Sequence, residues 1–318
     1  MQTKRAVTTA MALAVVLLAP GCGGGDDGSV GDLVGGSLGE VEGIEHVVVV
    51  PNGPLTIVVG EAKGLLTGSE AADGREHVAP EGTEWVPLDW RLGIDDDLDP
   101  LQRTLMGDPS QRTTLELVAG VVTTTLGDAP GSTSTPAESR TGGPVYVIVA
   151  TDSARVVEVT FDGVTASLDL GTGQVAGERA EALTDLAPPV SAVCPPLAGK
   201  RVTADVACTY TVATVPYLSG EGWAEDGWTV GQVETRIDSF ERAGATYDVR
   251  AATDSSGFDG STTGSTVVDE RLTSLVTRFF VDGTPTRLDI ARTLTGLRAD
   301  GRGPEDATAE LSTTVELD

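Results

Sequence analysis

The densest concentration of reactive side chains in this 318-residue chain is the acidic run Ile94-Asp95-Asp96-Asp97-Leu98-Asp99. Calcium takes about six to eight oxygen ligands, and alternate carboxylates at Asp95, Asp97 and Asp99 would supply several of them. These three fit the first, third and fifth places of a helix-loop-helix calcium loop. Pro100 then stands where that loop needs Gly, and Met106 where it needs a bidentate Glu. That motif therefore fails, which leaves a looser carboxylate site between strands or a solvated acidic loop. Asp254 and Asp259, in "TDSSGFDG", offer a sparser version of the same chemistry. Calcium is the one cofactor these residues suggest.

Other chemistries find less support. His46 and His77 are the only histidines, and neither has the HxH or HExxH spacing or a nearby cysteine that a transition metal would use. No Gly-x-Ser-x-Gly turn marks a nucleophile, and no strand runs through a Gly-rich turn into a helix to cradle phosphate. Carboxylates are plentiful, yet nothing singles out a pair at glycosidase spacing. The chain therefore reads as non-enzymatic, with a hydrolase using an unrecognised carboxylate pair as an alternative. Tryptophan offers a binding chemistry, since an exposed indole stacks on sugars or anchors protein interfaces. Trp223 and Trp228 bracket the polar stretch "AEDG" and are the ligand-binding candidates. The competing reading makes Trp85 and Trp228 core residues of equivalent strands. Five positions apart on a regular strand, the two rings of a pair face opposite sides.

The elements that would position these residues are β-strands. "HVVVV", "LTIVVGEA", "TLELVAGVVTTTL", "PVYVIVAT" and "RVVEVTF" are β-branched runs bounded by Gly, Pro, Asp or Ser. "CTYTVATV" and "ATYDVRAAT" alternate as half-buried strands do. Helix candidates are residues 177–186 and 269–279, the second read as strand. Trp85/Trp90 and Trp223/Trp228 share one spacing, each pair preceded by Glu-Gly and followed by Gly. Downstream, Asp162-Gly163 and Asp282-Gly283 each precede a Leu-Asp pair and read as hairpin turns. The repeated order suggests a tandem duplication. Expected boundaries are a signal peptide over 1–21, a Gly-rich tether over 22–43, β-sandwich domains over 44–185 and 195–318, and a Pro-rich linker over 186–194. The expected fold class is all-β, two tandem immunoglobulin-like sandwiches.

The address comes from the N-terminus. Lys4 and Arg5 precede an apolar run from Ala10 to Ala19, which is a secretory signal. "LLAPGC" resembles a lipobox, the site at which bacterial lipoprotein precursors are cut before a diacylated cysteine, although Ala19 stands where Leu is usual. The resemblance implies lipidation of Cys22, a membrane anchor and a place on the outer face of the cytoplasmic membrane. Cysteine parity agrees: Cys194 and Cys208 pair in a disulfide suited to an exported protein, and lipidation accounts for the third. The net charge of −27 disfavours nucleic acid and bare anionic lipid as partners. Scarce Lys with abundant Ala, Gly, Val and Thr suggests a high-GC actinobacterium.

At the level of architecture the chain resembles the immunoglobulin-like ectodomains of bacterial surface lipoproteins. That implies a non-catalytic module for a protein or cell-wall glycan. "RFFVDGTPTRLDIA", residues 278–291, is also similar to hairpins in actinobacterial lipoproteins that carry lipid in a half-barrel. The alternative it implies is a carrier of lipid or another apolar ligand in the second domain.

Overall fold

The computed structural model describes residues 28–37, 39–129, 144–259, 264–270, 273–301 and 305–317. The expected signal peptide and Cys22 lie outside the described residues. The protein is predominantly β, built from several antiparallel sheets.

The first half contains β1 (Leu33–Gly35), β2 (Gly43–Val50), β3 (Gly53–Gly60), β4 (Leu65–Leu66), β5 (His77–Val78) and β6 (Thr83–Leu92). Helix α1 (Pro100–Met106) follows, then β7 (Thr113–Ala119), β8 (Val122–Ala129), β9 (Val145–Ala150), β10 (Arg155–Phe161), β11 (Val164–Asp169) and β12 (Val175–Ala176). They form two five-stranded sheets, β1–β9–β6–β3–β2 and β12–β11–β10–β7–β8, with β4 and β5 as a separate two-stranded ladder. Period-two alternation drives the packing: Thr113, Leu115, Leu117 and Ala119 of β7 all face inward. They meet Leu55, Ile57, Leu88 and Val147 of the other sheet in one core.

The second half contains β13 (Val190–Val193), β14 (Val202–Ala204), β15 (Ala207–Leu218), β16 (Gly222–Arg236), β17 (Ser239–Arg242) and β18 (Ala245–Asp254). It continues with β19 (Gly257–Phe258), β20 (Gly264–Glu270), β21 (Ser274–Asp282), β22 (Arg287–Arg298) and β23 (Asp306–Glu316). One sheet runs β13–β15–β16–β21–β20; the other runs β14–β17–β18–β22–β19, with β23 also paired to β22. Phe258, Phe279, Leu288 and Ile290 fill the space between them.

The halves are not separated by apolar surface. Val215, Tyr217, Trp228 and Val230 of β15 and β16 belong to the same buried cluster as the first-half core. Helix α1 lies across this junction: the Gln102 side-chain amide donates to the carbonyls of Ala187 (2.9 Å) and Thr214 (3.2 Å). Ser219 N–H donates to Leu105 C=O at 2.9 Å.

Several local expectations are corrected. The described part of the expected tether, residues 28–37 and 39–43, joins the fold, because β1 pairs with β9 and Gly31 N–H donates to Ile148 C=O. The linker supplies a strand, β13, on the edge of β15, since Val190–Val193 has no proline and can form a ladder. Asp162-Gly163 is a two-residue hairpin turn with both residues at positive φ (45° and 77°), which Gly and Asp tolerate. Asp282-Gly283 is not a hairpin: β21 and β22 belong to different sheets, so the chain crosses the sandwich there. Residues 177–186 hold one short 3₁₀ turn, Glu181–Leu183. Among the described residues the α-helix lies instead at α1, immediately after the acidic run Ile94–Asp99.

Candidate functional site

Asp95, Asp97 and Asp99 occupy the turn that leads into α1. The Asp95 carboxylate accepts the N–H groups of Asp97 (3.1 Å) and Leu98 (3.2 Å). Asp99 caps the helix by accepting Leu101 N–H at 2.8 Å, and Pro100 follows at the first helical position. Among the described residues no group of three or more His, Cys, Asp or Glu side chains is placed to hold a metal ion. His77 pairs with Asp73 at 3.1 Å and meets Trp85 edge-on, while His46 packs beside Gly173.

Cys194 and Cys208 form the disulfide just beyond the end of the β13–β15 ladder, where Cys194 N–H donates to Cys208 C=O at 3.1 Å and the Cα atoms are 5.4 Å apart. Both are buried against Val233, Phe258 and Phe279.

The tryptophans divide by face as expected in the first pair and not in the second. Trp85 packs under the β4–β5 ladder with Tyr146 and Ile148, and Trp90 packs on the opposite, inter-sheet face. Trp223 and Trp228 share a face. Pro216 interrupts β15, so Val215 pairs with Trp228 and Tyr217 with Trp223, and Ala224–Gly227 bulges out between them. Both indoles turn inward. Trp228 donates to Gly222 C=O at 2.8 Å, and Trp223 donates to Phe161 C=O at 3.3 Å, packing edge-on to Phe161 and Tyr217. Arg179 grips the bulge through the carbonyls of Ala224 and Glu225. These rings bind one half of the protein to the other.

The structure brings together residues that sequence spacing does not connect. A cleft of about 510 Å³ opens beside β6 and β9, lined by Glu40, Glu42, Glu61, Lys63, Glu70 and Tyr146, with Val41, Ala62 and Pro87 as its apolar wall. Lys63 pairs with Glu70 and lies 5.4 Å from the centre of the Tyr146 ring. That ammonium, with the N–H and hydroxyl of Thr67, holds the Glu70 carboxyl down at about 2. Tyr146 is only 6% exposed, and burial pushes its hydroxyl above the usual phenol value. It is thus a protonated donor at any physiological pH.

Two further polar clusters are closed to solvent. Asn52 brackets Asp108, donating to its carbonyl (3.0 Å) and accepting its N–H (2.7 Å). The Asp108 carboxylate, lowered chiefly by the Ser110 hydroxyl, also accepts Tyr217 O–H at 3.4 Å. In the second half Arg292 is 1% exposed and pairs with buried Asp254, while donating to Thr235 (2.9 Å) and Ser256 (2.8 Å). Burial depresses the Arg292 guanidinium to about 10.

Comparison with protein-family models, with curated proteins and with solved structures finds no match to this chain. The reading of the site therefore rests on its own geometry. Lys63 was the available signal for the cleft, being one of three lysines in the chain. Nothing in its neighbours' spacing points to Tyr146, which reaches it through strand pairing.

Proposed function

We propose that the protein is a surface-anchored lipoprotein whose two immunoglobulin-like halves act as a single rigid, non-catalytic platform for a protein or cell-wall glycan. The observation that carries this reading is the apolar core that runs from both first-half sheets into β15 and β16. Such continuity fixes the halves relative to each other, as a module that presents surfaces requires, and hinged closure around a substrate would break it. The edges support the same use. Ile44 and Val47 on β2, and Val190 and Val193 on β13, are exposed apolar side chains on the outermost strands of their sheets. The anchor at Cys22 rests on the lipobox resemblance.

The test is capture of the full chain from its own cells after mild cross-linking, with intact-mass measurement and hydrogen-exchange footprinting of any partner. The expected result is a diacylated N-terminal cysteine and a partner whose footprint falls on exposed strands. An unmodified Cys22 would overturn the anchor, and the absence of any partner above control would overturn the platform.

A further inference from the structure

We infer that the cleft beside β6 and β9 is a binding site for an aliphatic ammonium or guanidinium group with an oxygen acceptor close by, as a basic peptide side chain and its own carbonyl present. The inference rests on the platform reading and names the class of partner it takes.

Charge selects the cation. Glu42, Glu61 and Glu70 line the cleft, and among the described residues that line it Lys63 alone carries positive charge, in a chain whose net charge is already −27. Lys63 is committed to Glu70, so its charge is largely spent within the wall. An anionic ligand would meet repulsion from Glu42 and Glu61, both exposed at the rim. The cleft volume, about 510 Å³, is in the range of small-ligand sites.

The acceptor requirement comes from Tyr146. Its ring is packed among Leu66, Ala71, Trp85 and Ile148, leaving the residue more than nine-tenths buried. Among the described residues no hydrogen bond engages its hydroxyl, which stands in the cleft wall. A hydroxyl that lines the cleft without a protein partner, and that burial of its ring keeps protonated, is a donor suited to a ligand carbonyl or hydroxyl. Val41, Ala62 and Pro87 supply the apolar wall along which the methylenes of a long cationic side chain can lie. The ring of Tyr146 is fixed by its packing, so the donor is ordered before the ligand arrives, which lowers the entropic cost of binding.

The experiment is calorimetric titration of the whole mature chain at low salt with three probes. N-acetyl-lysine methylamide carries the amine and acceptors, n-pentylamine the amine alone, and N-acetyl-norleucine methylamide the acceptors alone. The lysine probe should bind most tightly, pentylamine less tightly, and the neutral probe not measurably. Tyr146→Phe removes the unpaired hydroxyl and keeps the packed ring. It should weaken the lysine probe by about threefold to tenfold and leave pentylamine unchanged. Glu42→Gln combined with Glu61→Gln should weaken both amines, and more so at low salt. Equal affinity for the neutral probe, indifference to both sets of variants, or no binding of the lysine probe would each overturn the site. A partner captured by the whole chain with its footprint away from the cleft would overturn this inference while leaving the platform standing.

Discussion

Arg292 occupies a position that strand alternation reserves for an apolar side chain, since Leu288, Ile290 and Leu294 share its face of β22. Its burial is tolerable because Asp254 neutralises it and Thr235 and Ser256 accept its remaining donors. The pair also separates the cluster around Phe279 from the one around Phe240. Removing one partner strands the other in the core. Arg292→Met should therefore cost about 3–5 kcal/mol of unfolding free energy by urea titration. Adding Asp254→Asn, which keeps an oxygen for Ser256, should recover a substantial part of that loss. Strictly additive costs in the double-mutant cycle would show that the two charges are not coupled.

At the scale of elements, α1 shows how one residue can carry two readings. Asp99 completes the alternate-carboxylate pattern of Asp95 and Asp97 that suggests calcium, and its oxygen caps a helix whose Gln102 ties the two halves together. Asp99→Ala should destabilise the protein by about 1 kcal/mol, as loss of an N-cap does. The cost should be the same in millimolar calcium and in chelator; a calcium-dependent part would show that the carboxylate also holds an ion. The Asp-Pro pair is itself a helix-start signal, an N-cap followed by proline at the first helical position. The long core strands are legible because alternation is local, as Leu115, Leu117 and Ala119 show, whereas the edge strands β1 and β13 carry no such pattern. Pairing is not local. The same Asp-Gly dipeptide closes a hairpin at Asp162 and a sheet crossing at Asp282, and the strands that follow decide which. The shared face of Trp223 and Trp228 likewise depends on Pro216 in the neighbouring strand. The cleft depends on bringing Glu40, Lys63 and Tyr146 together from three separate segments.

For the whole molecule, the decisive feature is that the sequence division near residue 190 is not a division of the core. Trp228, Val215, Tyr217 and Leu218 are buried in the cluster that also holds Leu115, Val157 and Phe161. Trp223 and Arg179 add directional contacts across the same junction. Exposing that surface in an isolated second half would place large aromatic and aliphatic groups in water, at a cost of about 1.5–3 kcal/mol for each such side chain. The protein should therefore unfold in one cooperative transition, with calorimetric and van't Hoff enthalpies that agree. Residues 195–318 expressed alone should self-associate or remain without fixed tertiary structure, even with the disulfide formed. Two resolved transitions, or a monomeric second half with its own sharp melting, would show that the shared core is a contact between independent domains. The rigid-platform reading would fall with it.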